Sequence, residues 1–200
     1  MPMTPSAEPL ALLSRSLDQA GALVASVTDD QLPLPTPCRA WTVAALVDHL
    51  IDDLEQFTKR AGGGTPTAGE SGQGTGSGRA EAFSDGSAAL LGTWARAGDL
   101  TGTIELPGMG EVPARFPVDQ QITEFAVHAW DLAKALGRPV TLDPEVGEAA
   151  LGWARGALRP EFRGEEGGPE AFGPEVTARP DAPVYDRLAA FFGRDPQQRG

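Results

Sequence analysis

The sequence has a single cysteine, Cys38, only two histidines and no long hydrophobic run. One cysteine cannot form a disulfide within the chain, which is typical of a protein from a reducing compartment. No apolar stretch approaches the roughly 20 residues that cross a bilayer. No basic segment precedes the first apolar residues, as it would in a signal peptide. These absences predict a cytoplasmic protein without membrane contact.

Positive charge is also scarce, because 16 Lys and Arg residues stand against 28 Asp and Glu residues, for a net charge of −12. Such a chain repels phosphates, so a nucleic-acid partner is not expected. Its 200 residues suit one domain over 1–200. Within it, glycine-rich and proline-rich composition predicts a flexible loop at 62–78 and a C-terminal extension at 160–200.

Hydrophobic residues recur every three or four positions, which predicts an all-α fold. The predicted helices are 7–27, 42–60, 80–97, a fourth that follows Pro117 and closes at Gly137, 143–158 and 183–192. Alternating patterns at Thr103–Leu106 and Val112–Phe116, on either side of a turn, predict a short β-hairpin. The segment Leu32–Cys38 has three alternating prolines and is expected to be extended.

Both histidines lie on strongly amphipathic helices. At about 100° per residue, Glu124, His128 and Asp131 share one edge of the hydrophobic stripe of the fourth helix. His49 lies on the matching edge of the second helix, with Asp53 one turn further along. Packing of the two stripes would bring these edges together. The predicted solvent side of the fourth helix holds Gln120, Thr123 and Lys134.

We therefore expect His49, Glu124 and His128 to converge on one divalent metal. Two imidazoles and a carboxylate are a common three-ligand set for zinc, with nickel and manganese as alternatives. Three protein ligands leave a coordination position for water or substrate, as in catalytic sites. The competing interpretation is that both histidines are structural, because a Glu and a His four residues apart can simply pair on a helix.

Neighbouring residues admit two interpretations each. Asp131 can support His128 by accepting its free ring N–H, or it can bond within its own helix. Asp53 can support the ligands or remain a solvated carboxylate, and the solvated interpretation is preferred. Cys38 is interpreted as a small buried thiol rather than a nucleophile or fourth ligand. Trp41 is expected to pack at a helix end.

Two stretches resemble motifs of the actinobacterial maleylpyruvate isomerase-like proteins. They are TPCRAWTVAALVDHL at Thr36–Leu50 and ITEFAVHAWDLAKALGRP at Ile122–Pro139, and the end FGPEVTARPDAPVYDRLAAFFGRDP is similar to the tails of a metal-binding subfamily. The resemblance implies a DinB-like up-down-down-up four-helix bundle, here with a short β-hairpin and a small C-terminal helical extension. At matching positions it implies His49, Glu124 and His128 as metal ligands.

The same resemblance implies an activity. The family includes enzymes that use a low-molecular-weight thiol, mycothiol in actinobacteria, for isomerisation or S-transfer. A metal that lowers the pKa of the cofactor thiol would prepare it to attack an electrophilic substrate, in a transferase or a cis–trans isomerase. The alternatives are a non-catalytic metal-binding or sensor module and a metallohydrolase on the same scaffold. Homodimerisation is a further expectation that no sequence feature decides.

Overall fold

The chain is mostly helical. A computed structural model describes residues 7–38, 41–64, 76–98, 100–106, 109–138, 141–158, 163–164, 173–179 and 181–197. Within these residues there are six α-helices, one short 3₁₀ turn at Asp29–Gln31 and one two-stranded sheet. The helices are α1 Ala7–Ala25, α2 Val43–Ala61, α3 Gly76–Ala97, α4 Phe116–Ala135, α5 Pro144–Ala157 and α6 Val184–Phe191. The strands are β1 Thr103–Leu106 and β2 Gly110–Pro113.

Local sequence signals set several helix ends, as predicted. The side chain of Thr42 accepts a backbone N–H in the first turn of α2. Asp143 caps α5 in the same way, and Pro144 occupies the first helical position, where no N–H is needed. After α4, Gly137 adopts a φ of +61°, and its N–H donates to the carbonyl of Lys134. That geometry favours glycine and ends the helix.

Helix α4 lies at the centre of the molecule, in contact with α1, α2, α5 and α6. The prediction that Thr123 lies on the solvent side of this helix is therefore wrong. Thr123 is buried and donates its hydroxyl to the carbonyl of Asp119. Gln121 is also buried, and its side-chain oxygen accepts the indole N–H of Trp94 at 2.7 Å. A helical wheel with one hydrophobic stripe assumes one buried face. Here neighbours cover α4 on nearly every side.

Two helices, α1 and α2, each contact both α3 and α4, so the four longest helices enclose one core. Phe125 of α4 lies near the middle of this core and is fully buried. Its ring meets Phe57 of α2 and Phe83 of α3 edge-on, with centroids 6.2 and 6.1 Å apart. Burial of a large apolar side chain stabilises the fold by roughly 1.5–3 kcal/mol. These rings therefore help to fix α2 against α4, the two helices that carry the predicted ligands.

The glycine-rich loop predicted at 62–78 ends earlier than expected, because α3 begins at Gly76. Residues 65–75 of that prediction lie outside the described residues. The side chain of Arg79, in the first turn of α3, is only 7% exposed and pairs with Asp48 of α2 at 2.7 Å. This buried ion pair holds the start of α3 in place, although the glycines Gly76 and Gly78 there disfavour a helix.

The two predicted extended regions are confirmed in part. Strands β1 and β2 form the antiparallel hairpin with Ile104 opposite Val112. The second strand ends at Pro113, since α4 begins at Phe116. In the proline-rich segment before α2, Leu32 is helical in conformation rather than extended. Further along that segment, Pro35 forms an antiparallel bridge to Thr42.

The described part of the C-terminal extension packs on the rest of the chain. Helix α6 contacts α4 and α5 and buries Leu188 and Phe191. The extended residues 173–179 lie beside it, with the N–H of Val176 donating to the carbonyl of Ala190. No helix in the described ranges is long and apolar enough to cross a membrane. The assignment of 1–200 to one domain stays a prediction.

The contact between α5 and α6 can be tested with a matched pair of glycine substitutions. A Cβ on Gly147 would lie 2.8 Å from Val184 and 2.9 Å from Tyr185, whereas one on Gly152 would meet nothing within 4 Å. Gly147→Ala should therefore destabilise the protein by about 1–3 kcal/mol through overpacking. Gly152→Ala should stabilise it by roughly 0.5–1 kcal/mol through helix propensity. Denaturant unfolding measures both changes in the free energy of unfolding. Equal changes would contradict the close approach of Gly147 to α6.

Candidate metal centre

The three predicted ligands meet between α2 and α4. Oε1 of Glu124 lies 3.0 Å from Nε2 of His49 and 3.0 Å from Nε2 of His128. All three ligand atoms lie within 4.8 Å of one another. The two imidazole rings face each other edge-on, with centroids 5.3 Å apart and an interplanar angle of 83°. The convergence predicted from the two helical wheels is thus present in the structure.

The cluster is deeper on one side than on the other. The side chain of His128 is 5% exposed, whereas those of His49 and Glu124 are 27% and 22% exposed. His128 therefore forms the closed inner wall of the cluster. The more exposed side of the cluster is that of His49 and Glu124.

An aromatic ring covers one face of the cluster. The indole of Trp41 lies 4.4 Å from the His49 ring and 5.5 Å from the His128 ring, centroid to centroid. Its backbone is fixed from both sides, since its carbonyl accepts from Thr36 and its N–H donates to the carbonyl of Cys38. Trp41 packs at the start of a helix, as predicted, but the surface it packs on is the candidate site. Cys38 is half-buried and outside the ligand cluster.

Asp131 supports His128 from behind. Its Oδ2 accepts a hydrogen bond from Nδ1 of His128 at 2.9 Å, and its side chain is fully buried. Of the two roles left open by the sequence, the structure shows the contact with the imidazole. Because a carboxylate only accepts, Nδ1 carries the proton and Nε2 is directed toward Glu124. A hydrogen bond of this kind fixes the ring orientation of a metal-binding histidine.

Asp53 belongs to the cluster as well, so its interpretation as a solvated carboxylate is wrong. Its Oδ2 lies 3.4 Å from Nε2 of His49, and its side chain is only 16% exposed. The residue follows His49 by one helical turn and faces α4. The spacing of four residues indicates that His49 and Asp53 share one face of α2. It does not predict that this face is buried against α4.

Carboxylates and imidazoles alternate through the cluster, and their charges shift the pKa values of its side chains. Burial alone would raise the pKa of Glu124, but the two imidazoles outweigh it and hold that pKa well below its usual range. Burial would lower the pKa of His128, but Glu124 and Asp131 raise it to about 9. Burial and the charge of Glu124 raise the pKa of Asp53 to about 6. The cluster therefore holds a proton at a position that a divalent cation could take instead.

The donor atoms fit such a cation. Zinc binds imidazole nitrogen and carboxylate oxygen at about 2.0–2.2 Å, which places neighbouring ligand atoms roughly 3 Å apart. The two nitrogen–oxygen separations here are both 3.0 Å. Asp131 further supplies the supporting hydrogen bond that metal-bound histidines commonly have.

The chain is similar to known proteins over most of its length. Residues 13–133, more than half of the chain, match the family model described as the mycothiol maleylpyruvate isomerase N-terminal domain. The chain belongs to this family. It is 35% identical over 187 residues to two uncharacterized proteins of Mycobacterium tuberculosis, one from strain H37Rv and one from strain CDC 1551. Each alignment covers 94% of this chain and 98% of the relative. No solved structure matches the chain.

One buried charge beside the candidate site was missed by sequence reasoning. Nη2 of Arg194, in the segment after α6, lies 3.0 Å from the same Oδ2 of Asp131 that accepts from His128. The pKa of Asp131 is lowered, because Arg194 and His128 together outweigh the effect of burial. No periodicity marks Arg194, which is 63 positions from its partner. Only the folded chain brings the two together.

The raised pKa of His128 predicts how the metal-free protein responds to pH. His128 has a pKa of 6.5 as a free side chain and about 9 in the fold, so folding favours its protonated form. The resulting stabilisation is complete below pH 6.5 and is lost as the pH rises through 9. Denaturant unfolding in the presence of a chelator should show this decline. His128→Gln should show a smaller decline, and an identical one would contradict the assignment.

Proposed function

We propose that this protein is a metal-dependent enzyme in which a divalent ion, zinc in the first instance, activates a small thiol cofactor. The observation that carries the proposal is the convergence of His49, Glu124 and His128 within 4.8 Å. Two imidazoles and one carboxylate leave further coordination positions open, which is typical of catalytic rather than structural zinc sites. Nickel and manganese are the alternative ions.

We further propose that the scaffold is a DinB-like four-helix bundle with up-down-down-up topology. Support comes from the contacts between helices, since α1 and α2 each touch α3 and α4. The candidate ligands lie on two helices of that group, α2 and α4. The hairpin β1–β2 and the elements after α4 are then additions to the bundle.

Each residue of the cluster has a role in the proposal. His49, Glu124 and His128 would hold the ion, and Asp131 would keep Nε2 of His128 directed at it. When bound, the ion supplies positive charge that lowers the pKa of a thiol or a water molecule beside it. Trp41 covers the two imidazoles with an apolar face, which limits the approach of solvent from that side.

The thiol in this proposal is mycothiol. It is suggested by the family description, which names mycothiol and maleylpyruvate isomerase. The second substrate would be an electrophile, in an S-transfer or a cis–trans isomerisation. Both molecules would approach the cluster from the side of His49 and Glu124, whose side chains are 27% and 22% exposed. Neither a nucleic acid nor a membrane is part of the proposal, and a homodimer stays a prediction.

A metallohydrolase is the second candidate, and Asp53 favours it. This carboxylate lies 3.4 Å from Nε2 of His49, and burial raises its pKa to about 6. A carboxylate with a pKa near neutrality can exchange protons with water during hydrolysis. A non-catalytic metal-binding or sensor module is the third candidate, and it predicts metal binding without any turnover.

Elemental analysis of untagged protein tests the metal. About one equivalent is expected in the parent, since the three ligands form one site. His49→Ala, His128→Ala and Glu124→Gln should each lose the ion. Glu55→Gln is the matched control, because Glu55 is an exposed carboxylate of α2 that pairs with Lys59.

The control variant should keep its metal. A parent protein that stays metal-free after incubation with zinc, nickel and manganese would refute the proposal. The two histidines would then be structural.

Substitution of cobalt for the native ion distinguishes the thiol-dependent enzyme from the metallohydrolase. Mycothiol added to the cobalt-loaded protein should produce an ultraviolet charge-transfer band from the bond between its sulfur and cobalt. The thiol would reach the ion from the side of His49 and Glu124. Asp53→Asn should leave this band in place. A different result would favour the metallohydrolase. In that case mycothiol gives no band, the protein hydrolyses esters or amides, and Asp53→Asn abolishes that hydrolysis.

A further inference from the structure

A buried arginine from the C-terminal segment reaches the back of the candidate metal centre. The side chain of Arg194 is 10% exposed, and its Nη2 lies 3.0 Å from Oδ2 of Asp131. Nε of the same guanidinium lies 3.4 Å from Oδ1. A buried charge is unfavourable unless a fixed partner compensates it. Each of these two charges therefore depends on the other.

The backbone holds Arg194 in one place through the motif that ends α6. Gly193 adopts a φ of +85°, a conformation that favours glycine. The N–H groups of Gly193 and Arg194 donate to the carbonyls of Ala190 and Ala189, both at 3.0 Å. This double hydrogen bond is a Schellman motif, which fixes the direction of the chain after a helix. The guanidinium also donates to the carbonyl of Phe192 at 3.0 Å.

Side-chain hydrogen bonds on both sides of Arg194 hold this segment, and one of them comes from α4. After Arg194, the carbonyl of Pro196 accepts from Nζ of Lys134 on α4 at 3.2 Å. Before it, the guanidinium of Arg163 donates to the carbonyl of Phe191 at 2.7 Å. The position of Arg194 relative to Asp131 is therefore set by several contacts outside the pair itself.

We propose that Arg194 is a positioning residue of the metal centre that acts through Asp131 on the ligand His128. This inference rests on the proposed function, because it concerns a metal held by His128. Arg194 fixes the carboxylate of Asp131 so that Oδ2 faces Nδ1 of His128 at 2.9 Å. The imidazole then directs Nε2 toward Glu124 at 3.0 Å.

Loss of the guanidinium would remove this support in two ways. It would leave His128 as the remaining partner of the buried carboxylate of Asp131. It would also release the rotation of that carboxylate, so that His128 no longer has a partner in a fixed position. The guanidinium of Arg194 donates hydrogen bonds to Asp131 and to the carbonyl of Phe192. Its effect on His128 would therefore pass through Asp131.

The zinc dissociation constant, measured by competition with a chromophoric chelator, tests the inference. Arg194→Gln should weaken zinc binding by about 10–100-fold, the usual effect of losing a supporting partner. Arg194→Lys should fall between this variant and the parent, because lysine keeps the charge but lacks the two-pronged geometry. Arg179→Gln is the matched control and should bind like the parent. Arg179 forms an exposed pair with Asp181, far more accessible than Arg194.

A double-mutant cycle tests whether the effect passes through Asp131. Asp131→Asn should itself weaken zinc binding. In that background, Arg194→Gln should add at most a two- to three-fold loss, because the two residues act as one unit. Independent, multiplying losses would overturn the inference.

Nitrogen NMR of the metal-free protein gives a readout that does not depend on the metal. The Nδ1–H of His128 should be protected from solvent exchange in the parent and in Arg179→Gln, and broadened by exchange in Arg194→Gln. An unchanged signal in Arg194→Gln would overturn the inference.

The outcomes separate the two proposals. Parent-like zinc binding in folded Arg194→Gln overturns the positioning role and leaves the proposed function standing. Failure of both the parent and Arg179→Gln to bind zinc, nickel or manganese refutes the proposed function, and NMR then decides the role of Arg194 alone. If Arg194→Gln does not fold, Arg194→Lys decides: weaker binding than the parent supports the role, and equal binding overturns it.

Discussion

The carboxylate of Glu124 lies between two imidazoles from different helices, and the rest of the site is arranged around it. It is 3.0 Å from Nε2 of His49 and 3.0 Å from Nε2 of His128. The surrounding contacts all restrict the same three side chains. Trp41 covers both rings, Asp131 holds the deeper ring, and the aromatic core beneath fixes the distance between α2 and α4. Such prior placement favours ion binding, because little side-chain freedom remains to be lost.

Helix α4 explains why fold and site are hard to separate. It contacts four other helices and carries two of the three candidate ligands together with Asp131. α2 brings His49 to one side of it, and the segment after α6 brings Arg194 to another. The centre is therefore formed by three distant parts of the chain.

The family match covers part of the candidate metal centre. The matched residues 13–133 contain His49, Glu124 and His128, together with Asp131. Arg194 lies outside that range. The three candidate ligands thus lie in the part of the chain that the family model matches. The compensation of the buried charge of Asp131 comes from the part that follows.

The sequence by itself determined the helices, their caps at Thr42 and Asp143, and which edge of each helix carries the candidate ligands. Each follows from contacts over one or two helical turns, where the period of the helix fixes which side chains share a face. The tertiary structure alone decided the burial of Thr123, the place of Asp53 in the cluster and the pairing of Arg194 with Asp131. These depend on which surfaces meet across long stretches of chain, and no local pattern of residues encodes that choice.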